Sequence, residues 1–148
     1  MIIPKDKFAM NVIEAIEIAW NEGSFEALDA IYDKFMVRHE SPFPDKPNLE
    51  AYKEWIFATR ESYPDATIKI DEVIREGNTT ATRWTFKGTH TGQHPALPIP
   101  PTGKFVEFQG SGVAHWEDDR IVEEWIFGDY MSLFQQIGVI PTMELEVV

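Results

Sequence analysis

The folding signals of this chain are segregated along it, and that order is its strongest constraint. Helical periodicity fills the first half and strand signals fill the second. Phe8, Val12, Ile16 and Ala19/Trp20 recur at helical spacing, which predicts an amphipathic helix over 6–21, ended by Asn21-Glu22-Gly23. Ser24 is the expected cap of a second helix with Phe25, Leu28, Ile31 and Tyr32 inward. Phe35-Met36-Val37 reads as a short strand leading to His39, and the stretch 41–47 holds three prolines and reads as a loop. Asn48 is the expected cap of a third helix with Leu49, Tyr52, Ile56 and Thr59 inward, stopped by Tyr63-Pro64-Asp65. Strands are then predicted over 66–75, 79–90, 104–117 and 120–128, with turns at Glu76-Gly77-Asn78 and Asp118-Asp119. The loop 91–103 carries Pro95, Pro98, Pro100 and Pro101, a short helix follows Asp129, and the segment after Gly138 is a tail. Three helices followed by four long antiparallel strands is an α+β order, and the 148 residues suit one domain spanning 1–148. A sheet curling around its N-terminal helices would make a cone with an apolar mouth, and the aromatic content of 13% could line it.

The last strand ends in a carboxylate. Asp129 shares strand parity with Trp125 and Phe127, because side chains two apart point to one face. A carboxyl beside two aromatic rings is poorly solvated, and desolvation moves its pKa toward neutrality, where it can take and return protons. Asp is also a preferred helix N-cap, and Asp129 stands where a helix should begin. The two roles are compatible.

Several functions are excluded by what the chain lacks. With no cysteine it has no disulfide, no thiolate metal site and no cysteine nucleophile. A net charge of −12 argues against nucleic acid and anionic membrane surfaces as partners. The start, Met1 to Lys7, lacks the apolar core of a signal peptide, and no apolar run approaches the roughly 20 residues that span a bilayer, so a soluble, cytoplasmic protein is expected. Pro101-Thr102-Gly103-Lys104 misses the phosphate-loop pattern at both ends, with Pro98 for the first Gly and Phe105 for Ser or Thr. Gly110-Ser111-Gly112 lacks the third glycine of a dinucleotide site and suggests a strand bulge instead. His90 and His94 are four apart, but in a Gly/Pro loop rather than on a helix, so the spacing does not converge them on a metal. Arg60 reads as an ion-paired or surface residue rather than a substrate clamp.

Tyr63-Pro64-Asp65, then Gly88-Thr89-His90-Thr91-Gly92, then Pro100 to Lys104, then Asp129 followed by Gln136-Ile137-Gly138, form an ordered set. In that set the chain resembles the SnoaL-like polyketide cyclase family from Trp20 to Gly138. The resemblance implies a nuclear-transport-factor-like cone, a curved antiparallel sheet packed on helices around an apolar cavity. It implies ring closure of an aromatic polyketide by intramolecular aldol condensation without metal or cofactor. It places the family's acid/base aspartate on Asp129, an assisting histidine on His115, and another pocket histidine on His39. The chain departs from the family pattern at Asp118-Asp119, where relatives often carry Asp-Gly, and at Glu124, where relatives often carry His.

An aldol closure needs a base for a carbon acid and a donor for the developing oxyanion. Asp129 is the expected base, and His115 or His90 the expected donor. Strand parity weakens His115. If Asp118-Asp119 is a simple two-residue turn, residue 115 pairs with 122 and faces away from Trp125 and Asp129, and only another turn length or a bulge between 115 and 129 reunites them. His39 is read equally as a core residue. Trp20, His39, Trp84, His90, Trp125 and Phe127 are the expected substrate-binding set. The expected function is a cofactor-free enzyme acting on a small apolar carbonyl compound, with cyclisation leading and isomerisation or hydrolysis second. A non-catalytic module that sequesters a hydrophobic ligand is the alternative. A homodimer or higher homo-oligomer is expected.

Overall fold

A computed structural model describes residues 7–142. The start of the chain, where a signal sequence would lie, is outside the described residues, as is the end of the tail. The elements are α1 (Lys7–Glu22), α2 (Glu26–Ile31), β1 (Tyr32–His39), α3 (Leu49–Ser62), β2 (Thr67–Glu76), β3 (Thr79–Thr89), β4 (Phe105–Glu117), β5 (Arg120–Gly128) and α4 (Tyr130–Gln136). This is the α+β order expected, with a curved sheet against N-terminal helices. No described helix is long and apolar enough to cross a membrane.

The sheet has five strands in the order β1-β5-β4-β3-β2. Four are antiparallel, but β1 joins the far edge parallel to β5, pairing His39 with Trp125. The expected short strand at 35–37 is thus eight residues long and takes in Tyr32, which was expected on a helix. Asn48 caps α3 as expected, its side chain accepting from the Ala51 amide at 2.9 Å. Ser24 does not cap α2, which begins after Phe25 with no side-chain cap.

One layer of helices covers the concave face. Leu28, Met36, Ile56 and Val106 are almost wholly buried there, each worth about 1.5–3 kcal/mol of transfer free energy. α1 also manages the free edge of β2. Asn21 accepts from the Ile68 amide at 2.6 Å and donates to its carbonyl at 3.0 Å, and Glu17 accepts from the Ile70 amide at 2.9 Å. Those edge groups would otherwise be unpaired. Arg60 donates to the Trp20 carbonyl at 2.7 Å, so it ties α3 to the end of α1.

β4 turns its apolar residues inward, Val106, Phe108, Ala114 and Trp116, and its polar ones outward. Gly110 lies on that inward face because the Trp84 indole occupies the place of a side chain. A Cβ there would lie 2.2 Å from the ring. The β4–β5 turn is a two-residue one, with Asp118 and Asp119 both at positive φ. Beyond it the register slips: Trp116 pairs with Ile121, but His115 pairs with Glu123. This bulge leaves Val122 without a partner and puts His115 on the same face as Trp125.

The loop after β1 is pinned twice. Arg38 and Lys46 exchange backbone hydrogen bonds at 2.9 Å each. His39 stands between two carboxylates, Asp45 at 3.0 Å and Glu123 at 2.8 Å, and stacks on Trp125 at 5.5 Å. The hydrogen bond to Glu123 leads in raising its pKa, opposed by desolvation and helped by Asp45.

Two outcomes are expected. Gly110→Ala should displace Trp84 and cost about 1–3 kcal/mol, seen as a lower Tm and a shifted tryptophan emission; an unchanged spectrum and Tm would disprove the close packing. His39, with its raised folded pKa, should stabilise fully below its unfolded value of about 6.5 and lose that contribution as pH rises through the folded value. The Tm gap between parent and His39→Gln should therefore be largest in mild acid and close in base. Lys46 is common to both proteins and cancels. A gap that widens with pH would contradict the two-carboxylate clamp.

Candidate active site

The concave face, α1, α3 and the loops at 40–47 and 91–103 enclose a cavity of about 100 Å³. Its wall is largely aromatic, with Trp20, Tyr52, Trp55, Tyr63, Trp84, Phe86, Phe108 and Tyr130 among the lining residues. The rings are in contact rather than scattered. Trp84 meets Phe108 edge-on at 5.7 Å, Phe108 meets Tyr130 at 5.6 Å, and Phe43 bridges Tyr130 and Trp55 at 4.9 Å each. Such a wall suits a flat apolar molecule.

One pole of the cavity is charged. Arg38 at the end of β1 donates from Nε to Glu40 Oε1 at 3.0 Å and from a terminal nitrogen to Glu124 Oε1 at 2.5 Å. All three side chains are at least nine-tenths buried. Each carboxylate also takes a phenol. Tyr32 donates to Glu124 Oε2 at 2.9 Å, and Tyr130 makes a short hydrogen bond to Glu40 Oε2. The guanidinium lies 4.2 Å from the centre of the Tyr52 ring, whose hydroxyl accepts from Trp20 Nε1 at 3.1 Å. Ions this deep persist only when paired and hydrogen-bonded, and here both conditions hold. Burial, then the neighbouring glutamate, pushes the pKa of Tyr32 and of Tyr130 far up, so both phenols remain protonated donors. Carboxylates and phenols side by side can exchange protons with a ligand.

His94 lines the cavity but is not free for catalysis. Its Nδ1 accepts from the Ala96 amide at 3.0 Å, which leaves the proton on Nε2, 3.1 Å from Thr59 Oγ1. Thr59 passes its own proton to the Trp55 carbonyl at 2.8 Å. Burial, then nearby Lys46, lowers the His94 pKa, so it is a neutral structural link. Lys46 lies behind that wall, its ammonium 3.5 Å from the Trp55 ring centre, and burial lowers its pKa to about 8.

Of the residues expected at the site, Trp20 and Trp84 line the cavity. Asp129 does not. It is exposed and caps α4, accepting from the Ser132 amide at 3.0 Å. Parity grouped it correctly with Trp125 and Phe127, but that group faces outward, and Phe127 is 64% exposed. The inward residues of β5 are Ile121, Glu124 and Ile126. His115 meets Trp125 at 4.8 Å, brought there by the bulge, again on the outer face. His39 clamps the outer loop. His90 is buried beside Tyr63, outside the lining, where Nδ1 accepts from the Thr102 amide at 3.2 Å and the loop closes through Gly103 N–H to the His90 carbonyl at 2.7 Å. Burial lowers its pKa. The charged residues that do reach the cavity, Arg38, Glu40 and Glu124, were not expected there. Their signal was alternation, since Arg38 and Glu40 share parity with Met36, and Glu124 with Ile126. Among the described residues, no group of three or more His, Cys, Asp or Glu could hold a metal ion.

Known structures share this architecture. TsrD from Streptomyces laurentii superposes with a TM-score of 0.80 at 21% identity, covering 93% of this chain and all of that one (100%). IdmH from Streptomyces antibioticus gives 0.72 at 24%, covering 90% and 99%. A SnoaL-like polyketide cyclase from Agrobacterium tumefaciens gives 0.71 at 19%, covering 90% and 99%. At these identities the likeness is one of fold. No curated protein matches by sequence. A family model does: that of the SnoaL-like polyketide cyclases matches residues 10–137, from α1 to the end of α4, and supports a role of cyclase or isomerase type. The chain belongs to the SnoaL-like polyketide cyclase family.

Proposed function

We propose that this protein is a cofactor-free enzyme that closes a ring in a small apolar carbonyl compound by acid/base chemistry, with Glu40 as the base. The carrying observation is the pair of buried glutamates that share Arg38 at the wall of an aromatic cavity. The two differ in how closely Arg38 holds them. Glu124 has the shorter contact to Arg38, at 2.5 Å against 3.0 Å, and serves as its counter-ion. Glu40 Oε2 is held by a neutral phenol, Tyr130. When Glu40 takes a proton from the carbon acid it no longer needs that donor. As the resulting enolate carbon bonds to the second carbonyl, the π electrons of that carbonyl move to its oxygen, and Tyr130 is then free to turn its proton toward this oxyanion. One carboxylate–phenol pair so supplies both halves of an aldol closure, or of an enolisation in a related isomerase.

The alternative is a module that only binds a hydrophobic ligand. It draws support from the same hydrogen bonds, since all four oxygens of the two carboxylates already have donors.

Deuterium exchange into the α-position of aryl ketones, followed by NMR, separates these readings. The parent should catalyse exchange, and Glu40→Gln should lower the rate by about two orders of magnitude. Asp129→Asn should keep both rate and fold, because Asn caps a helix about as well as Asp, and only a dipole contribution of about 0.3–1 kcal/mol is lost. No exchange by the folded parent would favour the binding module. Loss of rate in Asp129→Asn with Glu40→Gln unaffected would move the base to Asp129. Exchange should also survive exhaustive chelation; loss with EDTA that zinc or magnesium restores would overturn the cofactor-free mechanism.

A further inference from the structure

Two buried polar rings of the cavity wall make no side-chain hydrogen bond among the described residues. Tyr63, at the end of α3, is 6% exposed, and Trp84 on β3 is 8% exposed; both line the cavity. Neither the Tyr63 hydroxyl nor the Trp84 indole N–H has a partner among the described residues. The other buried rings of the wall are engaged. Trp20 donates to Tyr52, and Tyr32 and Tyr130 donate to the two glutamates. Trp55 is only half-buried. Among the described residues, no buried side-chain nitrogen or oxygen lacks both a partner and access to open space. The Tyr63 and Trp84 donors therefore border room that another molecule can fill.

They also belong to one continuous wall. Tyr63 meets Phe86 edge-on at 5.4 Å, Phe86 meets Phe108 at 5.2 Å, and Phe108 touches both Trp84 and Tyr130. Tyr130 leads to Glu40. We infer that Tyr63 and Trp84 are positioning residues that hold an acceptor oxygen of the ligand, and so decide which end of it meets Glu40. This rests on the ligand cavity proposed above. Burial pushes the Tyr63 phenol up to about 12, so it stays a protonated donor in neutral solution. Both donors are neutral. They favour a carbonyl or phenol oxygen, whereas an anion would meet two glutamates that already share one guanidinium.

The test is calorimetry on the full chain with acetylnaphthalene and with isopropenylnaphthalene, which has the same shape but no acceptor. The parent should bind the ketone about five-fold more tightly, the worth of one neutral hydrogen bond. Tyr63→Phe should abolish most of that preference while leaving Tm unchanged or higher, because it removes a hydroxyl that has no partner among the described residues. Trp84→Phe should do the same to the preference. A parent without preference, or a preference kept by both folded variants, overturns the inference; one kept by a single variant removes that residue from it. Failure of the parent to bind either naphthalene overturns the apolar-ligand cavity itself, and this assignment with it.

Discussion

The guanidinium of Arg38 is the interaction on which the site depends. It satisfies Glu40 and Glu124 at once, and those residues come from distant parts of the chain. Its backbone also holds the loop at Lys46. Removing one partner of such a cluster costs about 3–5 kcal/mol, because uncompensated charge is left in the interior. The parallel pairing of β1 with β5 is what brings these groups together, since it sets Arg38 opposite Glu124 in register. An apolar triad of similar volume could serve stability as well. What the ions add, on the proposed function, is proton chemistry in a place otherwise fit only for apolar surface.

The two regions of the cavity have different physical roles. The aromatic wall excludes water and presents flat surfaces, and exclusion of water strengthens every electrostatic contact at the charged pole. The phenols join the two. Tyr130 packs against Phe43 and Phe108 through its ring and reaches Glu40 through its hydroxyl. Gly128, just before it, leaves space for that ring: a Cβ there would lie 2.7 Å from it. A short helix after the last strand thus delivers a proton donor to the cavity, while the cap of the same helix, Asp129, stays in water.

The outer face has its own network. His39, Asp45, Glu123, Trp125 and His115 meet on the convex side of β5. They hold the edge strand and the loop that carries Glu40 and Phe43. Their effect on the cavity is indirect, through the position of that loop.

Much of the fold was legible in the sequence because it rests on local rules. Helical spacing in Phe8 to Trp20, the Asn48 cap, the Asp118-Asp119 turn and the alternation in β4 each follow from neighbours in the chain. Trp20 continues the apolar stripe of α1 and lines the cavity, whereas of the two strand tryptophans expected beside it Trp84 lines the cavity and Trp125 lies on the outer face. The candidate site was less legible, for a geometric reason. Alternation says which residues share a face but not which face is concave, so Trp125, Phe127 and Asp129 were grouped together without any sign that the group faces outward, and His115 joined that face only through the bulge. The bulge at Val122 was decided by how β4 and β5 pair, not by either strand alone. Arg38, Glu40 and Glu124 look like solvent-facing charges until the parallel pairing of β1 on β5 buries them together. The chain by itself determined its elements and their order; only the tertiary structure decided which charges are inside, because a buried ion is stable only beside partners that come from elsewhere in the fold.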